Sequence, residues 1–210
     1  ATHDTNPLAD LEAHPDKHGN AVDLGQRPPE TRCARIADAL GAIEQALPTL
    51  YAELATTLER IVPVGYDEQI HLSASYREAP GLVYLSLHPA NLTMAEAIVH
   101  ETQHGKLNAV SWLDPVLENA FTEWTTSPVR PDERPLMGVL LAAHAFVPVA
   151  ALHQRLAEIA HPLSAEPGFA ARRRDVLTTN QKSLATLDRL AKPTQVGARI
   201  LGALNALHRA

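Results

Sequence analysis

The chain has 210 residues, of which 45% are apolar, and its 18 basic and 24 acidic side chains give a net charge of -6 at pH 7. This length and apolar fraction allow a sizeable globular core, and the negative charge without a long Lys/Arg run argues against nucleic acid or an anionic membrane as the main partner. No run approaches about 18 apolar residues and no signal-peptide pattern opens the chain, which predicts a cytoplasmic protein. Because Cys33 is the single cysteine, any metal must use His and carboxylate ligands.

The N-terminal 30 residues differ in composition from the rest of the chain. Residues 1–30 are polar, rich in Pro, Asp and His, and have no apolar period, which predicts an extended or flexible arm. Residues 31–210 are predicted to form a single, mostly helical, metal-binding catalytic domain. Its first part, 31–61, has apolar residues at helical spacing interrupted at Pro48, which predicts two helices or one kinked helix.

The period then changes to the alternation typical of strands. Apolar residues alternate with polar ones over 70–76, turn residues follow at 78–81, and 82–87 has the composition of a second strand. A β-hairpin is therefore predicted, leading directly into the next helix. An extended peptide substrate is one candidate occupant of its edge. The alternative is that the hairpin only covers the helix.

That next helix is predicted over 93–110, with the sequence TMAEAIVHETQHGKLNAV. Thr93 and Glu96 have the spacing of a capping box. The helix contains the pattern H-E-x-x-H, whose two histidines, His100 and His104, project from one face about one turn apart. Their ring nitrogens can converge on one metal ion, so both are predicted metal ligands.

The C-terminal half is read as further helices around a Pro-rich loop. A helix is predicted over 116–125, followed by the loop 127–136 with its two arginines. A long apolar helix with a kink near Pro148 is predicted over 137–159. Helices are also expected over 179–191 and 196–210, and the three arginines at 172–174 are interpreted as a solvated helix face.

The identity of a third metal ligand is open between two candidates. His144 lies among apolar residues of the predicted long helix, and burial of a polar ring is costly unless something binds it. That favours His144 as the ligand, although many histidines on apolar faces only pack in the core. Glu123 follows His104 by nineteen residues, close to the spacing of the third ligand in thermolysin-like zinc peptidases. Glu118 is a weaker candidate for the same role.

The order of these motifs resembles a known family. HETQH, then LENAFTEW, then SPVRPDERPLMGVLLAAHAF is similar to the α-ketoglutarate-dependent H-E-x-x-H peptide β-hydroxylases, which act in the biosynthesis of ribosomally made, modified peptides. The resemblance covers about residues 82–149, and its most specific part is the coupling of H-E-x-x-H to R-P-x-x-R-P-L-x-G. It implies Fe(II), the cosubstrate α-ketoglutarate, O2 and a precursor peptide as substrate. Some relatives are fused to, or encoded beside, radical peptide maturases, so such a maturase is an expected partner.

The resemblance also implies roles for individual residues. An α-ketoglutarate oxygenase needs three protein ligands on one face of Fe(II), and His100, His104 and His144 would supply them. The far carboxylate of α-ketoglutarate would pair bidentately with a guanidinium, with Arg134 as first candidate and Arg130 as second.

Glu101 is the residue whose role differs most between the interpretations. In a zinc peptidase with Glu123 as third ligand, Glu101 would be the general base. In the oxygenase it would support the ligands or contact the substrate. A third interpretation is a metal-free domain that only binds a precursor peptide. For all three, the predicted fold is α+β and mainly helical, with a small β-hairpin next to a zincin-like H-E-x-x-H helix.

Overall fold

The computed structural model describes residues 22–126 and 133–210. Within these ranges the protein has six α-helices and two small sheets, which confirms the predicted mainly helical α+β fold. The chain divides into two compact units, Ala1–Lys106 and Leu107–Ala210. Most of the predicted N-terminal arm, 1–30, lies outside the described residues.

The first unit begins with two helices separated at a proline, which is one of the two predicted alternatives. Helix α1 spans Pro29–Ala46 and helix α2 spans Pro48–Thr57, and the intervening Leu47 has non-helical backbone angles of φ -135° and ψ 68°. A proline removes a backbone N–H and disfavours the helical conformation of the residue before it, so Pro48 ends one helix and begins the next. Each helix starts on a proline, where the missing N–H would be unpaired in any case.

The sheet of the first unit has three strands in the order β1-β3-β2, where β1 is Arg60–Tyr66, β2 is Ser73–Ala74 and β3 is Leu82–Leu87. The central β3 pairs in parallel with β1 and antiparallel with β2. Five of its six residues are buried, as expected for a strand with neighbours on both edges. The predicted hairpin is therefore present, but only two residues of its first strand pair with β3.

Strand β1 differs from the sequence-based expectation. The prediction that the second helix continues to Ile61 is wrong, because α2 ends at Thr57 and Ile61 pairs with Val83 of β3. Leu54, Leu58 and Ile61 keep a helical spacing across the true boundary, so the apolar period alone could not mark the end of α2. The partner strand decides the structure here.

Helix α3, Asn91–Ser111, carries the H-E-x-x-H motif as predicted. The predicted capping box is wrong, because the helix begins two residues before Thr93, and Thr93 therefore lies inside its first turn. The amide of Met94 already donates to the carbonyl of Ala90 at 3.3 Å. At the true start, Asn91 Oδ1 accepts a hydrogen bond of 2.8 Å from Arg35 of α1.

The second unit is built around one long apolar helix. Helix α4, Leu136–Glu158, contains Pro148 and contributes six of the fourteen buried residues of the core cluster, more than any other element. Among the described residues it is the one helix whose length and composition would allow it to cross a membrane, but 72% of its apolar window is buried inside the protein. That burial is typical of a core helix. The other elements are helices α5, Phe169–Leu190, and α6, Gln195–Arg209, a short 3-10 helix over Pro162–Ala165, and a two-stranded sheet of β4, Trp124–Thr126, with β5, Glu133–Pro135.

The helix predicted over 116–125 does not form. Turns and strand β4 occupy this segment. Val116 adopts a positive φ of 64°, whereas every residue of a right-handed α-helix has a negative φ. Glu118 is exposed in a turn, and Glu123 lies immediately before β4. The three arginines at 172–174 do lie on a helix, α5, where two of them are exposed and the third is half-buried.

Candidate functional site

The two histidines of the H-E-x-x-H motif lie together on α3. Their ring centroids are 4.4 Å apart and the ring planes are nearly perpendicular, at 87°. Both rings are half-buried, whereas Glu101 and Gln103 between them are 5% and 3% exposed. The helical spacing thus brings the two imidazoles into contact, as the sequence predicts, on a helix that is otherwise largely buried.

The carboxylate of Glu101 is held by two serines from the neighbouring sheet. Ser73 Oγ donates to Oε1 and Ser75 Oγ donates to Oε2, each at 2.7 Å. Residues two apart on an extended strand point to the same side, so the segment around β2 presents both hydroxyls to α3. Sequence analysis did not identify these serines. The S-x-S spacing within a predicted strand was the only available signal.

A further histidine, His71, lies just before β2. Its Nδ1 is 3.3 Å from Ser86 Oγ of β3, and its ring meets that of His88 edge to face at 5.9 Å. Burial, with a smaller contribution from His88, lowers the pKa of His71 to about 4, and Glu101 opposes this shift. Its Nε2 is buried and has no hydrogen-bond partner within the described part of the chain. His71 is therefore held as a neutral ring beside the carboxylate of the motif.

The depressed pKa of His71 predicts a pH-dependent stability. Between its ordinary value of 6.5 and about 4, the unfolded chain takes up a proton that the folded ring excludes. The free energy of unfolding should therefore fall as the pH decreases through this window, with no contribution from His71 above it. Urea unfolding of the wild type and of His71→Gln can be measured at about pH 7 and about pH 5. The free energy of unfolding should fall less between these two pH values in the variant than in the wild type. An equal fall in both proteins would contradict this assignment.

The remaining predicted site residues belong to the second unit. His144 lies on α4 and is half-buried between the fully buried Ala143 and Ala145. Glu123 is half-buried, and its backbone carbonyl accepts a hydrogen bond of 2.8 Å from the amide of Leu136.

Arg134 lies on β5 opposite Thr125. A Cβ placed on Gly138 would lie 3.6 Å from Cβ and 3.7 Å from Cδ of Arg134. The arginine side chain therefore lies along the first turn of α4, which gives the R-P-L-x-G segment a structural meaning. Arg130 lies outside the described residues.

In residues 22–126 and 133–210, no group of three or more His, Cys, Asp or Glu side chains is gathered closely enough to hold a metal ion. The pair of His100 and His104 supplies two donors, and the third ligand remains a prediction from the sequence. No model of a known protein family and no curated protein matches this chain. The family resemblance therefore rests on the motifs themselves.

Proposed function

We propose that the protein is an Fe(II)- and α-ketoglutarate-dependent oxygenase that hydroxylates a side-chain β-carbon of a ribosomally made precursor peptide. The observation that carries this proposal is the H-E-x-x-H helix in which both carboxylate oxygens of Glu101 are engaged by Ser73 and Ser75. A carboxylate anchored in this way is suited to orienting its surroundings. The motif order across 82–149 adds the resemblance to the peptide β-hydroxylases.

The donor chemistry of the site fits the proposed metal. Neutral imidazoles bind Fe(II) and Zn(II), and the contacting rings of His100 and His104 provide two of them on one helix face. In this proposal His144 is the third ligand. When bound, the iron together with α-ketoglutarate and O2 supplies the oxidising chemistry that converts a C–H bond into C–OH.

The surrounding residues have positioning roles in the proposal. Ser73 and Ser75 hold the carboxylate of Glu101, which is 5% exposed, in a fixed orientation on α3. Arg134 supplies a guanidinium whose planar N–H groups match the far carboxylate of α-ketoglutarate.

The alternative is a zinc peptidase with Glu123 as third ligand and Glu101 as general base. Its support from the sequence is the spacing of nineteen residues between His104 and Glu123. Glu123 itself lies immediately before β4, since the helix predicted over 116–125 does not form. A metal-free peptide-binding domain is the other alternative, and metal titration separates it from both enzymes.

The first test is an anaerobic titration of the metal-free protein with Fe(II) and then α-ketoglutarate, followed by visible absorption. A charge-transfer band of the chelated keto acid is expected. In Arg134→Ala the band should require much more α-ketoglutarate while Fe(II) binding is retained. Arg174→Ala, which changes an exposed arginine on α5, is the matched control. Absence of the band, with tight Zn(II) binding and peptide cleavage, would favour the peptidase.

Glu101→Gln distinguishes the two enzymes more directly. Gln keeps the size of the side chain and one carbonyl acceptor for the serine hydroxyls, but it cannot act as a general base. The oxygenase should still add an oxygen atom to a precursor peptide, detected by mass spectrometry. A peptidase should lose activity by about 1000-fold.

A further inference from the structure

A cleft in the first unit, at the start of α1 and the turn that leads into α3, is lined by neither His100 nor His104. Its volume is about 140 Å³. Two guanidinium groups and one imidazole lie in its wall, and within the described residues no carboxylate lines it. The lining residues are Arg27, Thr31, Arg35, Tyr66, Leu87, His88 and Pro89.

The two cations are held in place by neighbouring groups. The guanidinium carbon of Arg27 lies 4.1 Å from the centre of the Tyr66 ring, a cation–π contact. Arg35 donates from one terminal nitrogen to Asn91 Oδ1 at 2.8 Å, and its remaining N–H groups can serve a ligand. Neither arginine forms an ion pair with a carboxylate of the described residues.

His88 adds a neutral donor to the same wall. Its Nδ1 accepts a hydrogen bond of 3.1 Å from the amide of Ala90. In the neutral ring the proton must therefore sit on Nε2, which makes Nε2–H a donor. The starts of α1 and α3 lie beside these groups, and the positive end of each helix dipole favours an anion in the same place.

Two carboxylates, Asp67 and Glu68, contact residues of the cleft wall without lining the cleft themselves. Asp67 Oδ1 accepts from the amides of Gln69 and Ile70 at 2.7 and 2.8 Å, and these bonds lower the pKa of Asp67. Glu68 accepts from the hydroxyl of Tyr66 at 2.9 Å. Both carboxylates keep their negative charge beside the cleft, but the lining itself contains the two guanidinium groups and no carboxylate of the described residues.

We propose that this cleft binds an oxyanion, the carboxylate of an acidic peptide side chain or a free phosphate. Both present the planar or tetrahedral acceptor oxygens that two guanidinium groups and an imidazole N–H recognise. None of the proposed metal ligands lines the cleft, so anion binding there is independent of the proposed oxygenase activity.

Isothermal titration of the full chain tests the proposal with three probes: inorganic phosphate, a capped tetraglutamate peptide and a capped tetraglutamine peptide. Saturable binding of phosphate or of the glutamate peptide is expected, with none for the glutamine peptide. The anion that binds with the higher affinity shows whether the cleft is suited to a peptide carboxylate or to free phosphate. Binding of neither anion, or equal binding of the neutral peptide, would overturn the proposal.

Variants locate the binding in the cleft. Arg27→Gln and Arg35→Gln should each reduce the affinity for the anion by about tenfold, since each removes a charged hydrogen-bond donor. Arg174→Gln, on the exposed face of α5, should leave the affinity unchanged. Arg35 also contacts Asn91 of α3, so the exposed Arg27 provides the variant least coupled to folding. An equal loss in Arg174→Gln would show general charge attraction and would overturn the assigned site.

Discussion

Replacement of either His100 or His104 with alanine is expected to reduce Fe(II) affinity by at least about 100-fold and to abolish peptide hydroxylation. Changes to groups that only support a metal ligand already cost about 10- to 100-fold, and these two rings are proposed as ligands themselves. Both are half-buried on one face of α3. Their loss should therefore leave the metal-free fold intact, with little change in its thermal unfolding temperature.

The measurement is anaerobic Fe(II) titration with circular dichroism as a check of folding. His208→Ala, which removes a half-buried histidine from the last turn of α6, is the matched control and should bind Fe(II) like the wild type. Two further variants address the third ligand: His144→Ala should lose Fe(II), and Glu123→Gln should retain it. Unchanged affinity in both His100→Ala and His104→Ala would refute the metal site.

Gly197→Ala is expected to destabilise the second unit by about 3 kcal/mol, the upper range for overpacking a core. Gly197 is buried in α6, and a Cβ there would collide with the backbone oxygen of Val116 and lie 2.9 Å from its carbonyl carbon. The backbone at Val116 cannot easily retreat. Val116 is held at φ 64° by a bond from its amide to Asp114 Oδ1, and its carbonyl accepts from the amide of Thr194 at 3.0 Å.

Gly202→Ala is the control for this prediction because it lies on the same helix with no atom within 4 Å of an added Cβ. Alanine has a higher helix propensity than glycine, so the free energy of unfolding of this variant should rise by up to about 1 kcal/mol. Urea unfolding of the two variants should thus give changes of opposite sign. A similar stability of both proteins would mean that α6 and Val116 are not packed as closely as described.

Local sequence signals were sufficient for the elements that carry the motifs. The helical period together with Pro48 predicted two helices or one kinked helix, and α1 and α2 are the first of these alternatives. The spacing of His100 and His104 predicted that both lie on one face of α3, where their rings are in contact. The apolar stretch at 137–159 predicted α4 within one residue at each end. These features depend on residues that are close together in the chain, so the spacing of apolar and polar residues is sufficient to predict them.

Other features depend on residues that are distant in the sequence. The bonds from Ser73 and Ser75 to Glu101, and the cleft that joins Arg27 and Arg35 to His88, connect segments tens of residues apart. The turn at Val116, which replaced a predicted helix, is stabilised by Thr194.

By itself, then, the sequence determined helices α3 and α4 to within about two residues, the H-E-x-x-H pair and the fold class, because side-chain period acts within a few residues. Only the tertiary structure decided how Glu101 is held, where strand β1 begins and which cationic groups share a cleft. Those outcomes depend on which strand, hydroxyl or carbonyl from another part of the chain satisfies a buried polar group, and no local pattern specifies that partner.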